Sequence, residues 1–257
     1  MMEHSAIYDA AALYDLAFSY RDFPEEARFL RQLHAHRLGT EPRSFLELAA
    51  GPGRHAQEMC RAGLEVAALD LSSAMAAHCQ RQAGKQGLSF PYLLGDMTLF
   101  QLDRQFELIA CMLCSATYLL TDEQFLAHLG CVHSALSNTG LYVLELPHPN
   151  EASDPKTASD WKMKDAHGEL AVQWREIAAT GRLITIDVRL EYQPNGGGEP
   201  LVVMDRGRQR DLTEAHLRAL AETAGFVVSD VFGALDEHVA LHDPKAWRMV
   251  AVLRKAR

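Results

Sequence analysis

Apolar and polar positions along the chain change period several times, and each change marks an element. Residues 5–20 carry apolar side chains at helical spacing, with Tyr8, Tyr14 and Tyr20 among them, and predict an N-terminal helix. A second helix follows. Pro24 sits near its first position, Glu25 and Glu26 complement its dipole, and Phe29, Leu30 and Leu33 form its stripe. From Phe45 to Leu48 the chain is apolar but for Glu47. It breaks at Ala49-Ala50-Gly51-Pro52-Gly53 and resumes as a helix from Arg54 to Leu64. Val66 to Leu69 is a short apolar run ending in Asp70, after which Ser72 or Ser73 caps a helix through Met75, Ala76 and Cys79. Strands follow at Phe90 to Leu94, ending in Gly95-Asp96-Met97, and at Phe106 to Leu113. The latter is almost continuously apolar, as a parallel strand covered on both faces requires. Thr121-Asp122-Glu123-Gln124 is a capping-box signature. Its helix carries Phe125, Leu129, Val132 and Leu136 and is expected to end at Asn138-Thr139-Gly140. Leu141 to Leu146 is the fifth strand, stopped by Pro147-His148-Pro149.

The period then changes. From Arg182 to Tyr192 the chain alternates strictly, with Ile184, Ile186, Val188 and Leu190 on one side and Thr185, Asp187, Arg189 and Glu191 on the other. That is a half-exposed antiparallel strand. Leu170 to Ala178 and Leu201 to Arg208 are its expected partners, with turns at Thr180-Gly181 and Pro194 to Gly198. Helical spacing returns from Thr213 to Ala224, closed by Gly225, and strands at Phe226 to Phe232 and Trp247 to Leu253 end the pattern. The expected fold is α/β and Rossmann-like, a seven-stranded, mostly parallel sheet. Residues 150–210 form an antiparallel β insertion, a lid after strand five, within one domain spanning 1–257.

A strand, a turn of small residues and a helix make a nucleotide-binding opening. The turn is small because ligand must approach the backbone closely. About 20 residues on, Asp70 ends the next strand, where a carboxylate can accept from both ribose hydroxyls. Two cofactor classes fit. A nicotinamide dinucleotide needs G-x-G-x-x-G, and no third glycine stands at the right place. Glu47-Leu48-Ala49-Ala50-Gly51-Pro52-Gly53 instead resembles motif I of class I S-adenosylmethionine-dependent methyltransferases, E/D-x-G-x-G-x-G, with Ala49 replacing its first glycine. Alanine is expected to take an ordinary φ there.

That resemblance implies S-adenosylmethionine as cofactor, held along Glu47, Ala49, Gly51, Gly53 and Asp70. It implies Leu71 or Met75 against the adenine, Asp96 and Met97 at the adenine amino group, and the Leu113 carbonyl at the methionine ammonium. Helices before motif I form a lid in this family, so Tyr14 and Tyr20 either reach the methionine carboxylate or simply pack. At a finer level the chain resembles small-molecule N-methyltransferases acting on glycine or amino sugars, which implies methyl transfer to an N (or O) nucleophile. The alternatives are an NAD(P)-dependent oxidoreductase and a non-catalytic cofactor-binding module.

Composition narrows the partners. At 257 residues and 48% hydrophobic, the chain suffices for one large α/β domain. A net charge of −9 without any block of Lys or Arg argues against nucleic acid. The first residues mix Glu3, Asp9 and Asp15 into apolar positions and do not read as a targeting peptide. No apolar run reaches the roughly 18 residues a membrane helix needs. The cysteine count, five, is odd, which fits a reducing cytoplasm rather than a disulfide framework. Cys111-x-x-Cys114 lies in an apolar run and reads as structural thiols; His238 and His242 read as loop residues, and no metal site is expected. The sequence leaves a homodimer open.

Methyl transfer from a sulfonium is an in-line displacement, and alignment can supply about 7–11 kcal/mol of its barrier. A base is needed only for a protonated nucleophile. His148 is the candidate, held by flanking prolines at the end of strand five; the alternative is a histidine that caps the strand end. Tyr118, Trp161, Arg206 and Arg208 are candidates for the acceptor side, the arginines doubling as ordinary solvated strand residues.

Overall fold

The structure is a computed structural model and describes residues 6–148 and 158–256. α1 (Ala6–Asp9), α2 (Ala11–Ala17) and α3 (Phe23–Leu38) precede β1 (Ser44–Leu48). Then come α4 (Arg54–Arg61), β2 (Glu65–Asp70), α5 (Ser73–Lys85), β3 (Tyr92–Leu94) and β4 (Phe106–Cys111). A 3-10 turn at Ser115–Tyr118, α6 (Asp122–Ala135) and β5 (Leu136–Pro147) follow. β1 to β5 pair in parallel. After the insertion, α7 (Glu214–Thr223) leads to a closing pair, which follows four lid strands: β6 (Ala158–Lys164), β7 (Gly168–Thr180), β8 (Leu183–Pro194) and β9 (Leu201–Arg210). The closing pair is β10 (Phe226–Phe232) and β11 (Arg248–Lys255).

The main sheet has seven strands in the order β10-β11-β5-β4-β1-β2-β3, with β11 antiparallel to both neighbours. Successive residues of its central strands face opposite layers. Leu46, Ile109 and Leu144 meet Leu129 and Val132 of α6 and Leu217 of α7. Phe45, Leu108 and Val143 meet Leu30 and Leu33 of α3 and Met59 of α4. Burial on both faces is why these strands read as unbroken apolar runs.

The insertion is a separate four-stranded antiparallel sheet, β6-β7-β8-β9. The alternation of β8 is realised as read: Ile186, Val188 and Leu190 turn inward with Leu170 and Val172, onto Ile7 and Ala17. β6 was not foreseen. Its inward pair, Trp161 and Met163, is interleaved with Asp160, Lys162 and Lys164, too short an alternation to stand out.

Two expectations are corrected. The N-terminal segment is two short helices broken at Ala10, not one, which lets Ile7 and Ala17 both reach the lid. The Asn138-Thr139-Gly140 stretch does not end α6, since the helix stops at Ala135 and β5 begins at once. Gly140 serves a close approach, because a Cβ there would fall 2.8 Å from the Glu107 carbonyl and 2.7 Å from Leu136 Cδ1. Strand five stops as expected at Pro147, but Pro149 and residues 150–157 lie outside the described residues. Among the described residues no helix is long and apolar enough to cross a membrane.

Candidate cofactor site

The parallel strands deliver their carboxyl ends to one edge, and sheet order sets the site out along it. Asp96 follows β3, Asp70 ends β2, the Ala49–Gly53 loop follows β1, Leu113 follows β4 and His148 follows β5. Open α/β sheets bind ligands along such an edge. A cleft of about 390 Å3, its mouth included, lies at the centre, lined by Tyr14, Phe18, Glu47, Ala49 to Pro52, His55, Met112, Leu113 and Ser115.

The loop is built from backbone that side chains resist. Gly51 and Gly53 have φ of 52° and 65°, and Ala49 has 50°. The expected ordinary φ for Ala49 is therefore corrected; alanine carries the smallest Cβ that can bear this region, at about 1–2 kcal/mol. The flanking bonds Ala50 N–H to Leu69 O (3.0 Å) and Gly53 N–H to Ala50 O (2.8 Å) hold it. A Cβ on Gly51 would meet only Tyr14 Cε1, at 3.9 Å, so ligand has room there. Asp70 accepts the Gly51 N–H through Oδ2 and the Ser72 N–H through Oδ1, each at 2.8 Å. Burial pushes its carboxyl above the ordinary value against those two donors.

Behind the loop, His55 is a bridged cation. Its Nδ1 donates to Glu47 Oε1 (2.9 Å) and its Nε2 to Glu26 Oε2 (2.8 Å). Burial opposes the charge, but the two carboxylates outweigh it and push the ring up to about 9. Glu47 Oε2 accepts the Ala56 N–H at 2.8 Å, so both Glu47 oxygens already serve the first turn of α4. At the cleft mouth Arg54 donates through Nε and Nη2 to Asp15 at 2.6 and 2.7 Å, and His78 Nε2 to the same carboxylate at 2.8 Å. Despite its burial, His78 and Arg54 hold the Asp15 carboxyl low.

On the far wall Leu113 and Cys114 have φ of 53° and 59°. Consecutive left-handed residues without glycine are strain, and such strain clusters at functional sites. The Cys111 thiol is buried and pushed up to about 12 by that burial, a structural thiol as expected.

The sequence candidates divide. Tyr14, Glu47, Ala49, Gly51 and Leu113 line the cleft, with Gly53 and Asp70 bracing its loop. Leu71, Met75, Asp96 and Met97 lie further along the edge, toward β3. Leu71 is exposed, Met75 and Met97 are buried, and Asp96 Oδ1 accepts from Thr98 N (2.8 Å) and Oγ1 (2.7 Å). Tyr20 does not join them: it is 55% exposed and packs on Trp161. Trp161 pins the lid, its Nε1–H donating to Ala17 O at 2.8 Å. Tyr118 hydrogen-bonds Tyr8 and Gln209. The register of β9 turns Gly207 toward Tyr118 and leaves Arg206 and Arg208 on the exposed face, where Arg206 pairs with Asp187. His148 is buried outside the cleft lining, and its Nε2 donates to Leu241 O at 2.7 Å.

Sequence reasoning missed His55, Arg54, Asp15, Arg21, Glu26 and Glu145. One signal was readable: Glu145 interrupts an apolar strand, and a carboxylate so placed needs a partner. His128 was missed too. It is wholly buried, donates from Nδ1 to Met97 O (3.0 Å) and accepts from Tyr142 Oη (2.7 Å). Burial pushes it down to about 4. Unfolded chains protonate a histidine below about 6.5 while this folded ring does not, so stability falls as pH drops from there towards 4. The expected slope for this group is at most about 1.4 kcal/mol per pH unit. Denaturation of His128→Phe across that range should be flatter; an unchanged slope would show that the ring titrates normally.

Residues 45–140 match the family described as a methyltransferase domain. The matched span runs from β1 to the start of β5 and includes every cofactor candidate from Glu47 to Leu113. One curated relative, dTDP-3-amino-3,4,6-trideoxy-alpha-D-glucopyranose N,N-dimethyltransferase of Streptomyces venezuelae, is 31% identical over 53% of this chain and 56% of its own length. The matches span about half the length of the curated relatives. The fold extends further. DesVI of Streptomyces venezuelae superposes with a TM-score of 0.83 at 23% identity, covering 96% of this chain and 98% of its own. An S-adenosylmethionine-dependent methyltransferase from Clostridium acetobutylicum ATCC 824 gives 0.82 at 17%, over 96% and 98%. The lid and the closing pair beyond the matched span are thus parts of one shared fold.

Proposed function

We propose that the protein is an S-adenosylmethionine-dependent methyltransferase that methylates an amino group of a small molecule, with amino sugars as the acceptor class. The carrying observation is the Ala49–Gly53 loop, its Gly51 tied to Asp70 and facing Leu113 across the cleft. The acceptor class is supported by the relative whose name is that of a dTDP-amino-sugar N,N-dimethyltransferase. Bound there, S-adenosylmethionine supplies a methyl group on a positively charged sulfur that departs neutral.

The residues present fit that group. Gly51 leaves room at the loop, Asp70 offers its carboxylate to the ribose, and Asp96 with Met97 stands further along for the base. Tyr14 and Leu113 face the opposite end. Tyr14 and Phe18 line the cleft and the lid packs on the helices that carry them, an apolar setting that favours a fixed approach. Where the acceptor arrives as an ammonium, His148 at the end of β5, its Nε2 donating to Leu241 O, is the candidate base. Tyr118 and Trp161 stand on the acceptor side. Five free thiols fit a cytoplasmic setting, and a homodimer is compatible with this reading.

Methyl-labelled cofactor offered with amines, dTDP-linked amino sugars, phenols and carboxylates tests the reading. Label is expected on the amines; label on phenols alone would overturn N-methylation. Asp70→Ala should weaken cofactor binding by on the order of 2–4 kcal/mol, about 30- to 1000-fold, as two hydrogen bonds to a charged group are lost. Calorimetry with unchanged affinity would remove Asp70 from the site.

A further inference from the structure

A continuous ionic chain runs behind the cleft and ends on its far wall. Glu26, which receives His55, also receives Arg21: Nε donates to Oε1 at 2.6 Å and Nη2 to Oε2 at 2.9 Å. Arg21 turns Nη1 and Nη2 to Glu145 as well, at 2.8 and 3.0 Å. Glu145 Oε2 then accepts the Leu113 N–H at 2.8 Å. Arg21, Glu26, Glu47, His55 and Glu145 are all buried. The chain thus begins at the Ala56 N–H, in the first turn of α4, and finishes at the strained Leu113–Cys114 turn.

Each stop on this path belongs to a different wall of the cleft. Glu47 and His55 tie the end of β1 to the first turn of α4, on either side of the Gly51 loop. Arg21 follows α2, which brings Tyr14 and Phe18, and its own N–H donates to Phe18 O at 3.1 Å. Glu145 reaches across from β5 to β4. We propose that Arg21 and Glu145 are positioning residues for the cofactor, a pair that fixes the Leu113–Cys114 turn relative to the Tyr14 wall and the Gly51 loop. This rests on the cofactor reading above.

Stability alone does not explain the arrangement. Burying charges is costly, and well-packed apolar side chains of similar volume often hold a protein as well. An apolar set cannot aim a backbone N–H. The fork of Arg21 can, because its planar donors engage Glu26 and Glu145 at fixed directions, and lysine offers only a point charge. The carboxyls of Glu26 and Glu145 are held low despite burial, as their charged partners require.

The test separates positioning from folding. Arg21→Met/Glu145→Leu replaces the pair by apolar groups; Arg21→Lys keeps the charge and loses the fork. Melting is followed beside calorimetry with S-adenosylmethionine. Arg21→Lys, which keeps a cation between Glu26 and Glu145, is expected to melt close to the native protein, the double variant lower because Glu26 keeps one cation fewer; both are expected to bind the cofactor at least about 10-fold more weakly. The inference is overturned if either folded variant binds with native affinity. Should the double variant fail to fold, Arg21→Lys decides alone. If the native protein itself binds no S-adenosylmethionine, the cofactor reading fails and this inference with it; native binding beside unaffected variants overturns this inference only.

Discussion

Gly53→Val is expected to disorder the cofactor loop and abolish cofactor binding. Two independent penalties meet at this position. Gly53 has φ of 65°, where a side chain costs about 1–2 kcal/mol and a β-branched one more. A Cβ there would also fall 2.5 Å from the Sγ of Cys79, a buried residue of α5. Overpacking of that kind costs about 1–3 kcal/mol. Their sum, about 3–5 kcal/mol, should lower the melting midpoint by roughly 10 °C in a chain of this size. The two penalties separate by experiment. Adding Cys79→Ala removes the clash and not the φ strain, so the double variant should recover part of the loss. Full recovery would mean that the backbone conformation is free; no recovery would mean that the Cys79 contact is irrelevant.

That loop shows which features a sequence reveals. Gly51, Pro52 and Gly53 announce a turn because the backbone there excludes side chains, and Asp70 announces itself by ending an apolar run. The sheet was legible for the same reason: β1, β4 and β5 are buried on both faces, so nothing polar interrupts them without cause. β8 was legible because one face is wet. Where the outcome depended on distant partners, the pattern was silent. Gly140 looks like a helix stop, yet what forbids a side chain there is the Glu107 carbonyl on a neighbouring strand. Ala49 looks like an ordinary residue, yet it is held left-handed by the loop around it. Arg206 and Arg208 read both as acceptor-side candidates and as solvated strand residues until the register of β9 shows which way they face.

The larger omission was electrostatic. Arg21, Glu26, His55 and Glu145 are scattered over more than a hundred residues and carry no shared spacing. Only their burial tells that they are one unit, and burial is a property of the fold. Glu47 was assigned to the cofactor through the motif. The structure adds that its oxygens accept from His55 and from Ala56, so it acts on the loop from beneath.

His55 is therefore where a single substitution should reach furthest. His55→Leu fills the same apolar surroundings but leaves Glu47 and Glu26 buried with one cation fewer between them. Breaking a buried ion pair by removing one partner costs about 3–5 kcal/mol. The native protein offers an independent measure of the same interaction. A histidine raised from about 6.5 in the unfolded chain to about 9 when folded stabilises fully below the first value, and that contribution is lost as pH rises through the second. The loss between the two should be about 3 kcal/mol, at about 1.4 kcal/mol per pH unit. The window must end near pH 9, because Cys79 and Cys111 are pushed up to about 12 by burial and add their own loss above it. Urea denaturation of the native protein and of His55→Leu from pH 6 to 9 decides the matter. The native curve should fall towards the alkaline end and the variant curve should be lower and flatter, the two converging as the native imidazolium loses its proton. Parallel curves would mean that the ring between Glu26 and Glu47 is neutral throughout, and that the chain of charges behind the cleft is held together by hydrogen bonds without His55's charge.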